Sequence, residues 1–188
     1  MAEFTTYTPD TASDASKPLL EKSQKSFGFV PNLHGVMAES PELLEAYQTV
    51  AQLFGRTDLS ETERQIIAMT NNRLNGCKYC MAGHTSIMQA AKVPEDVIAA
   101  LRDGTSIDDP KLEALRVFAE KMNLSRGWPE ESDVEAFLAA GYTRKTMLEV
   151  VLGTAFKVLS NYTNHIAETP VDDAFAKNAW EPEEETVS

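Results

Sequence analysis

The spacing of apolar residues along the chain predicts a protein built from α-helices. Apolar side chains recur at intervals of three and four residues over most of the sequence, and no stretch alternates between apolar and polar residues for long. Proline stands near the start of several predicted helices and glycine stands between them, as both residues do in helical proteins. These positions are Pro41, Pro94, Pro110 and Pro129, and Gly104, Gly127 and Gly141. The predicted fold class is therefore all-α.

The longest predicted helix covers residues 144–168 and makes about six turns. Its apolar residues recur on one side, and we expect that side to face the core. They are Met147, Val150, Val151, Thr154, Ala155, Val158, Leu159, Tyr162 and Ile166. Shorter helices are predicted at residues 40–55, 94–102, 109–123 and 130–139.

The two ends of the chain differ in composition from the part between them. Residues 1–18 are rich in threonine, serine and aspartate, which predicts a flexible N-terminal segment. Residues 179–188 carry a run of glutamates, which predicts a solvated acidic tail. No repeat and no low-complexity linker divides residues 19–178, so we predict that they form a single domain.

Composition and charge narrow the classes of function. The 188 residues are 43% hydrophobic and carry a formal net charge of −12, which suits a folded protein and disfavours nucleic acid or an anionic membrane as a partner. We see no signal peptide and no apolar run of membrane-spanning length, so we expect a cytoplasmic protein. The sequence also lacks a glycine-rich phosphate loop and an H-E-x-x-H motif, so we expect no cofactor.

Residues 59–91 hold the most informative pattern. Ser60 followed by Glu63 is a capping-box sequence, which predicts that a helix begins there. The pair Asn75-Gly76 interrupts this helix, and a second helix is predicted to begin at the next residue, which is a cysteine.

Three side chains that could take part in catalysis or metal binding share one face of that second helix. Cys77, Cys80 and His84 are separated by three and four residues, so at about 100° per residue they fall within an arc of roughly 60°. Two cysteines at this spacing can cycle between dithiol and disulfide, and a histidine one turn further on can exchange protons with a sulfur atom. In a reducing compartment such a pair is more often catalytic or metal-binding than a permanent cross-link.

Other interpretations of these residues are compatible with the sequence. The two cysteines could be small core residues, or they could bind zinc with a fourth ligand from His34 or His165. For His34 the favoured role is packing at a junction between a loop and a helix. For His165 it is a core or interface position, with a second proton carrier beside the cysteines as the alternative.

The segment N-G-C-K-Y-C-M-A-G-H at residues 75–84 resembles the motif of the alkylhydroperoxidase D-like (AhpD-like) branch of the carboxymuconolactone decarboxylase superfamily. That motif, Cys-x-x-Cys-x-x-x-His, follows a helix that often opens with Leu-Ser-x-x-Glu-Arg, as residues 59–64 do here. Residues 27–47 look like the lead-in segment of the family, and residues 161–176 look like its closing helix. The resemblance therefore covers most of the chain.

The resemblance implies an AhpD-like helical bundle that assembles into homo-oligomers, often trimers or hexamers. It also implies thiol-dependent reduction of hydroperoxides. By position in the motif, Cys80 would be the peroxidatic thiolate that becomes a sulfenic acid, Cys77 would resolve it as a disulfide, and His84 would relay protons. A dithiol or a disulfide reductase would then supply electrons by exchange.

One position departs from the family pattern. The family places a proton-relay glutamate twelve residues before the first cysteine, and this sequence has Gln65 there, whose amide cannot take up a proton. We expect Gln65 either to orient His84 or a water molecule, or to be a solvated helix residue. Glu63 is the nearest carboxylate, with helix capping as its structural role and catalysis as the alternative.

This departure keeps other functions open. Gln65 favours a thiol–disulfide oxidoreductase with weak peroxidase activity. Less favoured are an enzyme like the lactone decarboxylases of the sister branch, whose chemistry does not depend on the cysteine pair, and a zinc-binding structural oligomer.

Overall fold

The computed structural model describes residues 3–182, and within that range the chain is all-α, without a β-strand, as predicted. The helices are α1 (Lys17–Phe27), α2 (Asn32–Met37), α3 (Pro41–Phe54), α4 (Glu61–Leu74), α5 (Lys78–Ala90), α6 (Glu95–Asp103), α7 (Pro110–Leu124), α8 (Glu131–Ala139) and α9 (Arg144–Ala167). A short 3₁₀ helix follows at Asp173–Asn178.

Side chains cap several of the predicted helix starts. Ser60 Oγ accepts the backbone N–H of Glu63 at 3.2 Å, and the Glu63 carboxylate accepts the N–H of Ser60 at 2.8 Å, which completes the capping box of α4. Ser40, Asp109 and Thr143 accept backbone N–H groups at the starts of α3, α7 and α9. These starts are local features of the sequence, and their prediction is confirmed.

The sequence does not predict helices α1 and α2. Helix α1 has few apolar residues, α2 is a six-residue helix, and neither begins with a side-chain cap. Both helices pack against α3, and α2 also packs against α9. They are therefore stabilised by contacts with distant parts of the chain, which local patterns do not reveal.

Residues 3–16 lie against α2. The backbone N–H of Tyr7 donates to the carbonyl of Gly35 at 3.1 Å. A Cβ atom at Gly35 would lie 2.7 Å from the Thr6 side chain, so only glycine permits this approach. The flexibility of residues 1–18 and the limits of the domain stay predictions.

Helix α4 is at the centre of the fold. It packs against α5, α7 and α9, and its residues 65–72 are all buried. Helix α9 approaches it closely at Gly153, where a Cβ atom would lie 2.7 Å from the Ile67 side chain. This close approach lets Asn161 of α9 donate a hydrogen bond to Asn72 of α4 at 3.0 Å.

The predicted orientation of α9 is wrong, although the helix itself is confirmed. Most of the apolar residues expected in the core are exposed or half-buried, among them Val151, Tyr162 and Ile166. The buried face is largely polar instead. It carries Thr146, Glu149, Val150, Gly153, Phe156, Lys157, Ser160, Asn161, Thr163 and Asn164. A buried polar face needs partners, and those partners belong to the candidate site described below.

The C-terminal strap, residues 169–180, lies across α5. Helix α9 ends at Ala167, so the closing helix expected at residues 161–176 is shorter than the resemblance implied. The Asp172 carboxylate in the strap accepts the hydroxyl hydrogen of Tyr79 on α5 at 2.6 Å. This hydrogen bond fixes the strap beside the motif that carries the cysteines.

Within residues 3–182, no helix combines the length and the apolar character needed to cross a membrane. Of the predicted acidic tail, Glu181 pairs with Lys78 at the start of α5. Residues 183–188 of that tail lie outside the described residues.

Candidate active site

Both cysteines lie in the protein interior at the start of α5. Cys77 is the N-cap residue of the helix and is 1% exposed, and Cys80 lies in the first turn and is 3% exposed. Both are free thiols, and His84 is buried one turn further along α5. The helix that the spacing predicted is therefore present.

A cavity of about 60 Å³ lies beside Cys80. Its polar wall includes Cys80, His34, His84, Lys157, Tyr47 and Tyr79, and its apolar wall includes Phe27, Leu33, Ile87 and Phe175. A water molecule needs roughly 10–15 Å³ of such space, and pockets for drug-sized ligands measure about 300–1,000 Å³. The cavity therefore suits a small molecule.

Lys157 of α9 is a member of this site that the sequence pattern did not reveal. It is 1% exposed, and its Nζ lies 2.8 Å from His84 Nε2. The same atom lies 4.8 Å from the centre of the Phe156 ring, within the range of a cation–π contact. The one available signal was a lysine inside an apolar stretch of a helix, because a buried amine needs a partner.

Hydrogen bonds fix the tautomer of His84. Gln65 Nε2 donates to Glu61 at 2.8 Å, so Gln65 Oε1 faces His84 Nδ1, which lies 2.8 Å away. His84 Nδ1 therefore carries the hydrogen, and its Nε2 accepts from Lys157. Burial and the positive charge of Lys157 hold the pKa of His84 well below its usual range, so the ring is neutral. Of the two roles considered for Gln65, this geometry favours orientation of His84.

The two thiols differ in their electrostatic surroundings. Burial acts to raise the pKa of Cys80, but the hydrogen bond from Cys77 and the charge of Lys157 outweigh it and lower that pKa to about 5. Hydrogen bonds from Ser160 and Asn161 act in the same direction. The hydrogen bond to Cys80 and burial raise the pKa of Cys77. At neutral pH Cys80 is therefore a thiolate, and Cys77 is a thiol.

Asparagine side chains surround the sulfur atoms. Asn164 Nδ2 lies 3.2 Å from Cys80 Sγ and 3.7 Å from Cys77 Sγ. Asn72 Nδ2 donates to the carbonyl of Cys80 at 3.3 Å, and Asn72 in turn accepts from Asn161. Amide N–H groups stabilise negative charge on sulfur, which gives the buried polar face of α9 its partners.

The other candidate residues, His34, Glu63 and His165, differ in their position relative to the cavity. His34 lies in the cavity wall, although the sequence favoured a packing role. The Glu63 carboxylate serves the capping box and accepts the hydroxyl hydrogen of Tyr142 at 3.1 Å. His165 is exposed, with its ring 6.4 Å from that of Tyr162. Neither Glu63 nor His165 borders the cavity.

In the part of the chain that the structure describes, no group of three or more His, Cys, Asp or Glu side chains could hold a metal ion. Within that part, the zinc interpretation of the cysteine pair lacks the ligands it needs.

Comparison with known sequences relates this geometry to a family. A sequence model of the carboxymuconolactone decarboxylase family matches residues 41–121, which include both cysteines and His84. A search of curated protein sequences finds no match.

Solved structures share the fold over nearly the whole chain. The alkylhydroperoxidase AhpD core of an uncharacterized peroxidase-related protein from Ralstonia eutropha JMP134 has a TM-score of 0.78 at 24% identity, and the match covers 93% of this chain and 96% of that one. An uncharacterized peroxidase-related protein from Silicibacter sp. TM1040 has a TM-score of 0.77 at 22% identity, with 93% and 95% covered. The debrominase Bmp8, as a cysteine variant in complex with 2,3,4-tribromopyrrole, has a TM-score of 0.78 at 19% identity, with 95% of each chain covered. These likenesses show a shared fold.

Proposed function

We propose that this chain is a thiol-dependent peroxidase that reduces small hydroperoxides at Cys80. Its residues 41–121 match the carboxymuconolactone decarboxylase family, and it shares its fold with AhpD-like solved structures. The observation that carries the proposal is the buried Cys80 that borders a cavity together with the buried Lys157, whose charge helps to lower the pKa of the thiol. A thiolate is the reactive form of cysteine, and a small cavity admits a small electrophile.

In the first step the Cys80 thiolate attacks the terminal oxygen of the hydroperoxide. The S–O bond forms and the O–O bond breaks, so Cys80 becomes a sulfenic acid and an alkoxide or hydroxide leaves. The ammonium group of Lys157, which shares the cavity, gives a proton to the leaving oxygen. The products of this step are the sulfenic acid, an alcohol or water, and a neutral Lys157 amine.

In the second step the Cys77 sulfur attacks the Cys80 sulfur. The neutral Lys157 amine takes the Cys77 proton and passes it to the departing hydroxide, so water leaves as the disulfide forms. Lys157 then regains a proton from solvent. A small external dithiol, which can reach the buried sulfur atoms, returns the pair to the reduced state by exchange.

This assignment changes the role expected for His84. Both of its ring nitrogens have hydrogen-bond partners, Gln65 at Nδ1 and Lys157 at Nε2. We therefore assign His84 to the positioning of Lys157, and we assign proton delivery to Lys157 itself. Gln65 fits this arrangement because the site needs an acceptor for the Nδ1 hydrogen, and an amide oxygen supplies one.

The proposal is tested by intact-mass measurement after one equivalent of hydrogen peroxide. The reduced wild type is expected to lose about 2 Da as its disulfide forms. Cys77→Ser, the matched control, keeps the Cys80 thiolate and is expected to gain about 16 Da as the sulfenic acid. Cys80→Ser is expected to show no change. Undiminished peroxide consumption by Cys80→Ser would refute the proposal.

Thiol–disulfide exchange with a protein is the second candidate, because a low cysteine pKa suits that reaction as well. The burial of both sulfur atoms disfavours it, since an attacking protein thiol has to reach a sulfur that is at most 3% exposed. A small hydroperoxide in the cavity has no such difficulty.

We also propose that the protein is a homo-oligomer and that the exposed apolar stripe of α9 forms the contact. The stripe consists of Leu148, Val151, Ala155, Val158 and Tyr162. Their alternating spacing of three and four residues is that of a helix seam that packs against another helix. A groove of about 830 Å³ runs along the same face of α9, with enough room for side chains from a second copy of the chain.

A further inference from the structure

His34 of α2 is the member of the cavity wall that the proposed mechanism does not use. It is 6% exposed and borders the cavity together with Cys80, His84 and Lys157. A histidine in this place needs an explanation, because the site already has one histidine that holds the lysine.

Contacts with α1 and α3 fix the tautomer of His34. Its Nδ1 lies 2.7 Å from Ser23 Oγ. The Ser23 hydroxyl donates its only hydrogen to the carbonyl of Leu19 at 3.0 Å, and it accepts from Gln48 Nε2, also at 3.0 Å. We assign the single Ser23 hydrogen to the Leu19 carbonyl, so that Ser23 Oγ accepts from His34 and the hydrogen of the ring is on Nδ1.

The other ring nitrogen, Nε2, is consequently a bare acceptor. Burial lowers the pKa of His34 to about 4, so the ring stays neutral at physiological pH. Among the described residues, none donates a hydrogen bond to His34 Nε2. The rings of Phe27 and Tyr47, with centres 5.6 and 5.5 Å away, pack against the His34 ring and hold its plane.

Two of the remaining polar side chains of the cavity, those of His84 and Tyr79, already have partners. His84 is bonded at both nitrogens, to Gln65 and Lys157. The Tyr79 hydroxyl donates to Asp172 at 2.6 Å. The Tyr47 hydroxyl also borders the cavity, with Ser160 beside it. The cavity therefore offers an incoming molecule a thiolate, an ammonium donor, a tyrosine hydroxyl and one neutral nitrogen acceptor.

We propose that His34 Nε2 accepts a hydrogen bond from the O–H group of the hydroperoxide and thereby places the terminal oxygen against Cys80 Sγ. The oxygen that Cys80 attacks carries one O–H donor in organic hydroperoxides and in hydrogen peroxide alike. His34 Nε2 supplies the acceptor for it, and the Lys157 ammonium group supplies a donor to the other oxygen. The hydrogen stays on the terminal oxygen throughout and ends in the sulfenic acid, so His34 binds the substrate and gains no proton. The inference rests on the proposed peroxidase function, because it concerns the same cavity.

Two reactions of Cys80 separate substrate binding from thiolate reactivity. Oxidation by hydrogen peroxide uses the O–H group, whereas alkylation by iodoacetamide uses the same thiolate without any hydroperoxide. In His34→Phe, which keeps an aromatic ring and removes both nitrogens, we expect the rate constant of oxidation to fall at least about tenfold. The alkylation rate constant is expected to stay within about twofold of the wild type.

His165→Phe is the matched control, because His165 is exposed and does not border the cavity, and both of its rate constants should equal those of the wild type. Ser23→Ala removes the acceptor that fixes the tautomer, and it should lower the ratio of oxidation to alkylation even if His34→Phe does not fold. An equal fall of both rates in the His34 and Ser23 variants, or no fall in either, overturns the inference. Failure of the wild type to be oxidised while it is alkylated normally overturns the proposed function itself.

Discussion

A buried lysine beside a buried cysteine determines the charge state of both residues. Burial lowers the pKa of Lys157, and the neighbouring Cys80 and Cys77 sulfurs act to raise it. In an ammonium–thiolate pair, each buried charge has an opposite charge beside it. A single buried charge would have no such partner and would be costly. Loss of either partner therefore changes the ionisation of the other.

The alkylation rate of Cys80 is expected to follow this pairing. Only the thiolate reacts, so with a pKa of about 5 the rate should be constant from neutral pH down to about pH 6 and fall as the thiolate is protonated below that. Lys157→Met removes the positive charge. The midpoint of its pH–rate profile should therefore move up toward the ordinary cysteine pKa of about 8.5. Iodoacetamide labelling across the pH range, read at Cys80 by peptide mass spectrometry, measures both profiles.

Lys25→Met is the control for this experiment. Lys25 is exposed on α1 and does not border the cavity, so its profile should equal that of the wild type. A Lys157→Met profile that coincides with the wild-type profile would contradict the charge pairing.

The sequence predicted those site residues that are close together in the chain. Cys77, Cys80 and His84 belong to one helix, so their spacing was enough to predict a shared face. Lys157 and His34 reach the same cavity from α9 and α2, and only the packing of these helices on α5 reveals their chemistry. His34 in particular has no local pattern that separates a packing role from a place in the cavity wall.

Among the elements, helix starts were more predictable than helix faces. A cap such as Ser60 with Glu63 is a local arrangement that the sequence contains in full. The face of α9 was predicted the wrong way round because periodicity locates the apolar side of a helix without saying what covers it. The polar side is buried here because its side chains bind the sulfur atoms, His84 and Asn72 of α4.

The C-terminal strap limits the size of the cavity. Phe175 borders the cavity, and its ring lies 3.5 Å from the position of a Cβ on Gly83. In Phe175→Ala the cavity widens, so we expect kcat/KM for cumene hydroperoxide to rise about tenfold relative to kcat/KM for hydrogen peroxide. Peroxidase assays with both substrates and a dithiol reductant measure this ratio.

Phe4→Ala provides the comparison for the strap variant. Phe4 is an exposed phenylalanine of the N-terminal segment that does not border the cavity, and its substitution should leave the ratio unchanged. Equal ratios in Phe175→Ala and the wild type would mean that the strap does not select substrates by size.

At the scale of the whole molecule, the apolar stripe of α9 is an apolar surface that a single chain leaves largely uncovered. Tyr162 is 57% exposed within it. Tyr162→Glu introduces a charge that a second copy would have to bury, so we expect the proposed oligomer to dissociate into smaller species. Light scattering coupled to size-exclusion chromatography measures the mass in solution.

Phe4→Glu is the control for the assembly experiment, because it puts the same charge on an exposed aromatic residue away from the stripe. Its mass should equal that of the wild type. The proposed contact is wrong if Tyr162→Glu keeps the wild-type mass.

In the proposed reaction cycle, the position of Lys157 also affects the reduction potential of the cysteine pair. When the disulfide forms, the thiolate charge disappears, and the ammonium group is left in a buried place without its counter-charge. The reduced protein is thereby favoured over the oxidised one, which makes the disulfide a stronger oxidant than an ordinary one. A dithiol of moderate reducing strength is then sufficient to restore the thiols after each turnover.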